Sequence, residues 1–243
     1  MRTAILSDIH ANLEALESIV SSAAQRQIDR WVCLGDIVGY GADPGACIEL
    51  TRSLAQVALL GNHDAAVAGL QDVTYFNTRA RQAVDWTRRQ ISPEDRDFLA
   101  ALPLLLELDN AFYVHAEPAD PDGWGYIHSA RGAAAAMRAV TTRLCFVGHS
   151  HEPLLCLAAD FSAEIVDGGS GAVSLEPNGR YLVNVGSVGQ PRDGDSRSCF
   201  VIHDGENDTV EFVRIEYDIE AAAAKIIAAG LPEYLARRLE SGH

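Results

Sequence analysis

Apolar and polar positions along the first sixty residues fall into two alternating kinds of block. Residues 3–7 form a short apolar run that predicts a strand, and residues 12–25 carry apolar side chains at 13, 16, 19, 20 and 23, the spacing of one helix face. Residues 31–34 predict a second strand. Residues 44–54 predict a second helix, with Asp43 at the N-cap and Pro44 at the first helical position, where its missing N–H is no loss. Residues 57–60 predict a third strand. This βαβαβ order implies parallel strands covered by helices.

The pattern then changes twice. Residues 65 to about 101 are helix-rich, with helical spacing over 77–89 (Ala80, Ala83, Val84, Trp86) and a capping signal at Ser92-Pro93-Glu94-Asp95. This stretch is expected to be a helical excursion at the mouth of any site. Strands return at 104–108, 111–115 and 144–147, with a helix-like 130–140 before the last. From 153 to 215, six strand-like runs (154–157, 163–166, 172–175, 181–185, 199–202, 210–215) are separated by Gly, Asp and Asn turns, and residues 218–229 predict a closing helix. Parallel α/β first and a mostly antiparallel run later predicts an α/β (α+β) fold, with two sheets packed face to face and helices outside, in a single domain over residues 1–243.

Composition narrows the class. The chain has 48% hydrophobic and 22% charged residues, and no apolar run of the roughly 18 residues a membrane helix needs. A cytoplasmic protein is expected, since no leader precedes the first strand. The five cysteines (33, 47, 145, 156, 199) show no C-x-x-C pairing and suit reduced, buried thiols. The net charge of −15 argues against a nucleic-acid surface. It does not exclude phosphate substrates, because two divalent ions would invert the field locally.

The candidate chemistry lies in five polar blocks, each expected where an apolar run ends: Asp8-Ile9-His10, Gly35-Asp36, Gly61-Asn62-His63-Asp64, His115 and Gly148-His149-Ser150-His151. In extended backbone, residues i and i+2 point to one side, so Asp8 with His10, and His149 with His151, are expected to reach a common ion. One D-x-H alone is common, and one histidine is as readily a packed one. Five of the eight histidines nonetheless fall in these blocks, at the strand ends where α/β sheets collect their sites. The donors exceed what one ion uses and suit two divalent ions side by side. Mn²⁺, Fe, Zn²⁺ or Ni²⁺ match mixed oxygen and nitrogen donors better than Mg²⁺ or Ca²⁺.

In order and spacing, D-x-H, G-D, G-N-H-D, H and G-H-x-H resemble the calcineurin-like metallophosphoesterase superfamily, over residues 1 to about 200. Residues 7–12, 35–41 and 184–193 are most similar to its small, single-domain bacterial branch. The resemblance implies a four-layer αββα sandwich of two mixed sheets. It implies one ion on Asp8, His10, Asp36 and His151, and a second on Asp36, Asn62, His115 and His149, with Asp36 shared. A bridging hydroxide would attack phosphorus, and His63 would protonate the leaving alkoxide with Asp64 orienting its ring. The implied function is hydrolysis of phosphomonoesters or phosphodiesters, on a small nucleotide or a phosphoprotein. The alternative is a metal-binding scaffold with little activity. Retention of His63 and Asp64 favours the enzyme. Ala11 stands where the family often has glycine.

Arg192 is a candidate substrate contact, against a plainer pairing with Asp193 or Asp195. Tyr40, Asn77, Arg79, His128 and Trp124 are candidates for the mouth, against ordinary surface or packing.

Overall fold

The computed structural model describes residues 1–243, the side chain of Tyr75 excepted. Its first sheet is built on β1 (Arg2–Leu6), β2 (Arg30–Cys33) and β3 (Val57–Ala58), all parallel. To these are added β11 (Ser198–Asp204), β12 (Thr209–Ile215) and β9 (Gly171–Ser174), all antiparallel, in the order β3-β2-β1-β11-β12-β9. The second sheet contains β4 (Leu105–Leu108), β5 (Ala111–Val114), β6 (Leu144–Val147), β7 (Leu154–Ala158), β8 (Ala163–Asp167) and β10 (Arg180–Asn184), in the order β4-β5-β6-β10-β7-β8. Both sheets are mixed. The antiparallel run after residue 153 is therefore not one sheet, because the chain sends β9, β11 and β12 across to the first.

The layering follows from side-chain alternation along each strand. On β1, Ile5 points inward and joins Val32, Leu59, Tyr113, Phe146 and Val183 in the core between the sheets. Ala4 and Leu6 point outward and pack on Leu16 and Ile19 of α1 (Leu13–Ala23) and on Cys47 and Ile48 of α2 (Pro44–Leu54). On the far side, Val114 and Cys145 meet Ala133 and Met137 of α6 (Ala130–Met137). The result is helix, sheet, sheet, helix, as expected. All five cysteines are free and buried.

Three differences bear on the site. First, β3 is only two residues long, and α3 (Asn62–Ala68) starts directly after Gly61, so Asn62 and His63 open a helix instead of ending a strand. Asp64 forces that start, since its Oδ2 accepts the Gly61 N–H at 3.2 Å. Second, Asp43 precedes α2 but makes no side-chain cap; its carboxylate accepts from Lys225 at 2.8 Å. Third, beyond α4 (Thr78–Gln90), α5 (Pro93–Ala100) and α7 (Ile219–Ala228), the chain adds an unforeseen α8 (Glu233–Ser241). Leu235, Ala236 and Leu239 of α8 pack on Ala80 and Ala83 of α4 and on Tyr40. No described helix is long and apolar enough to cross a membrane.

Candidate metal centre

The five blocks converge on one buried point at the carboxyl ends of the central strands. Asp8, His10, Asp36, His115, His149 and His151 are each 4% exposed or less, and Asn62 is 8%. Three groups have donor atoms that all lie within 4.8 Å of one another: Asp8–His10–His151, His10–Asp36–His63 and Asp36–His115–His149.

The convergence does not come from extended backbone. Asp8, His10, Asp36, His149 and His151 all have positive φ, of 56°, 51°, 53°, 66° and 62°. The expected i, i+2 geometry of a strand is thus replaced by left-handed turns that swing both side chains inward. Each such residue costs about 1 kcal/mol or more and persists only where its surroundings over-determine it. Here they do. The Asp8 N–H donates to Gly35 O at 3.0 Å, His10 N–H to Asp36 O at 2.9 Å, and Gly189 N–H to Asp8 O at 2.9 Å. Ala11 is also left-handed (φ 52°), held by its N–H on Ile37 O at 2.9 Å. Gly61 permits a close approach, because a Cβ there would overlap the backbone nitrogen and carboxylate of Asp36.

Each carboxylate has one anchored oxygen and one aimed into the centre. Asp8 Oδ2 accepts the His149 N–H at 3.0 Å, and Asp36 Oδ1 accepts the His63 N–H at 2.8 Å. The other oxygen of Asp36, Oδ2, stands 3.6 Å from His10 Nε2 and 3.5 Å from His115 Nε2. Asp8 Oδ1 has no hydrogen-bond partner although it is buried, and neither has Asn62 Oδ1.

The imidazoles are oriented in the same manner, by backbone carbonyls. His10 Nδ1 donates to Val38 O at 3.2 Å, His151 Nδ1 to Gln190 O at 2.6 Å, and His149 Nε2 to Trp124 O at 3.0 Å. A carbonyl can only accept, so each of these nitrogens carries the proton. It follows that His10 Nε2 and His151 Nε2, 3.2 Å apart, face each other with bare lone pairs. No hydrogen bond can form between them, and a cation satisfies both. Carbonyl partners that set the tautomer of a ligating histidine are the usual support of a metal site.

Electrostatics leave His10 and His149 neutral, whereas His115 would have to give up its proton to an ion. Burial pushes His10 well below its ordinary value and His149 down to about 3, leaving neutral donors. Burial would raise Asp36, but the neighbouring His115 and His63 hold its carboxyl well below the usual range. Burial also pulls His115 down, and Asp36 outweighs it, so this imidazole rises to about 9. Orphaned oxygens, opposed lone pairs and an ionised carboxylate shared by two sides fit divalent ions of the expected kind.

Other expected residues fall as follows. His63 is buried beside the centre, its ring 4.9 Å from His10 and 4.3 Å from Tyr40 between centroids. Asp64 does not orient it. Its oxygens are taken by the N–H groups of Val38 (3.1 Å) and Gly61, and His63 Nδ1 has no partner. Asp64 therefore shapes the loop, because the helix start turns its side chain away from the ring. Arg192 pairs with neither Asp193 nor Asp195, which bind Arg214 and Arg197. Its guanidinium instead lies over Tyr40 at 6.0 Å and donates to Gln190 Oε1 at 3.1 Å. Tyr40, Asn77 and Trp124 line an open cleft of about 630 Å³ with Asn62, His63 and His149. His128 lies off it, paired with Glu152 at 3.1 Å.

Several supports escaped the sequence. Ser187 Oγ donates to Asp8 O at 2.9 Å, and Asn184 Nδ2 donates to Gly148 O at 2.8 Å. Tyr126 stacks on His149 with centroids 4.0 Å apart. Carbonyl braces such as Val38 and Trp124 carry no side-chain signal, so no residue pattern could have marked them.

The comparisons with known proteins agree with this geometry. Residues 1–208 match the family model of the calcineurin-like phosphoesterase superfamily domain. An uncharacterized protein of Methanocaldococcus jannaschii is 39% identical over 243 residues, covering 98% of this chain and 97% of its own length. The crystal structure of a metallophosphoesterase from Sphaerobacter thermophilus superposes with a TM-score of 0.88 at 41% identity, covering 100% of this chain and 99% of that one. A hypothetical protein from Pyrococcus horikoshii shares the fold at a TM-score of 0.81 and 22% identity, over 100% and 98% of the two chains. The chain belongs to the calcineurin-like phosphoesterase superfamily.

Proposed function

We propose that the chain is one metallophosphoesterase domain that hydrolyses phosphomonoesters or phosphodiesters at a centre of two divalent ions. Asp8, His10, Asp36 and His151 would hold one ion, and Asp36, Asn62, His115 and His149 the other. The observation that carries this reading is Asp36 Oδ2, nearly equidistant from His10 Nε2 (3.6 Å) and His115 Nε2 (3.5 Å), one donor of each set. When bound, the ions would supply Lewis acidity and an activated water.

The remaining steps belong to the side chains. His63 faces the cleft beside Asn62 and His149, where it would donate a proton to the leaving oxygen. Burial holds its imidazole down at about 4, with Asp36 raising it in part. Tyr40 and Phe76 pack against its ring at 4.3 and 5.0 Å and fix its direction. Arg192 would face the substrate's anionic side. The open cleft beside His63 favours turnover over a scaffold role.

Protein reconstituted separately with Mn²⁺, Ni²⁺ and Zn²⁺ is expected to hydrolyse p-nitrophenyl phosphate or bis-p-nitrophenyl phosphate with at least one metal. Absence of turnover with all three would leave the scaffold reading.

A further inference from the structure

Three arginines gather beside the cleft although acidic residues outnumber basic ones 34 to 19. Arg79 of α4 and Arg238 of α8 both approach the Tyr234 ring, at 4.1 and 5.5 Å from its centroid. Arg192 lies 6.0 Å over Tyr40. Tyr40 packs in one apolar cluster with Ala80 of α4 and with Leu235, Ala236 and Leu239 of α8, so the three arginines are carried by segments that meet at this cluster.

Arg79 and Arg192 have no carboxylate partner among the described residues, and Arg238 Nε donates to His243 O at 2.7 Å and leaves its terminal nitrogens free of one, whereas Arg197 and Arg214, from the same region, pair with aspartates. Arg192 Nε is buried with no hydrogen-bond partner. Arg238 feels its neighbours. Burial lowers its affinity for a proton first, and the charges of Arg192 and Arg79 lower it further. Like charges brought together at that cost are expected where a ligand completes them. Stacking on Tyr234 and Tyr40 holds the groups in place beforehand.

The position has a direction. Tyr40 links the patch to the metal centre, since its ring lies 4.7 Å from His10 and 4.3 Å from His63. The cleft also carries Asp72 and Asp122, which repel anions. An anionic group extending from the centre is therefore drawn toward the arginines.

We propose that Arg79, Arg192 and Arg238 form a subsite for a second phosphate group, so that the preferred substrates are small phosphate esters carrying another phosphate beyond the one cleaved. This rests on the phosphoesterase reading for the word substrate, but the anion subsite can be measured by binding alone.

The test is calorimetry of the Mn²⁺-loaded protein with butylene bisphosphonate and with butyl phosphonate, whose C–P bonds phosphoester hydrolysis leaves intact. The bisphosphonate is expected to bind about tenfold tighter or more. Arg79→Gln with Arg238→Gln should bring the ratio of the two Kd values near one. Arg79→Gln alone, at an exposed position, should lower it in part, and Arg131→Gln on the distant α6 should leave it unchanged. Equal affinities in the unmodified protein, a ratio that survives the double substitution, or an equal loss in Arg131→Gln would overturn the subsite. A preserved ratio together with no hydrolysis of p-nitrophenyl phosphate would sink only the phosphoesterase reading.

Discussion

Asp36→Asn is expected to lower turnover of p-nitrophenyl phosphate about a thousandfold or more, equivalent to about 4 kcal/mol of lost transition-state stabilisation. The cause is local. Asp36 Oδ1 is fixed by the His63 N–H, and only Oδ2 is left to face both donor sets. An amide keeps the shape but removes the negative charge, and if its oxygen keeps the bond to the His63 N–H, its NH₂ group points at the centre. Metal affinity should fall with the rate, because the proposed second ion shares this oxygen. Side-chain volume hardly changes, so circular dichroism should match that of the unmodified protein. A variant that retains turnover within tenfold would remove Asp36 from the proposed centre.

The second large effect is expected at His63. Its replacement by alanine should reduce kcat by a factor of about 10² to 10⁴ on an alkyl phosphate, whose leaving oxygen must be protonated. On p-nitrophenyl phosphate, whose leaving group departs as a stabilised anion, the loss should be much smaller. The contrast matters because His63 also falls in one of the three groups able to hold an ion, with His10 and Asp36. A ligand would be needed equally for both substrates. Equal losses would make His63 a ligand or a positioning group and not an acid.

The sequence made the centre legible because ligand chemistry is carried by rare residue types. Asp8, His10, Asp36, His115, His149 and His151 could be named from their blocks, and the structure brings all of them to one point. What holds them there was hidden. The left-handed turns at Asp8, His10, His149 and His151 leave no trace in hydrophobic periodicity, which led to an extended geometry that the backbone does not adopt. The helix start at Asn62 was missed because Gly61-Asn62-His63-Asp64 has no apolar spacing, although an acid three residues past the cap is the usual sign. The role of Asp64 on the His63 ring came from the resemblance, and its bonds to the N–H groups of Val38 and Gly61 carry no signal in the residue pattern. Layering was recoverable from alternation, as Ile5 against Ala4 and Leu6 shows. Which late strand joins which sheet was not, since β9 and β8 differ little in pattern yet lie in different sheets.

The most direct measurement of the central claim is the metal content of the purified protein after reconstitution with Mn²⁺ and removal of loosely held ions, determined by elemental analysis beside a crystal's anomalous scattering. The account predicts two ions per chain, with Asp36 in contact with both, and a lower content in Asp36→Asn. One ion per chain in the unmodified protein, or two ions that do not share Asp36, would contradict it.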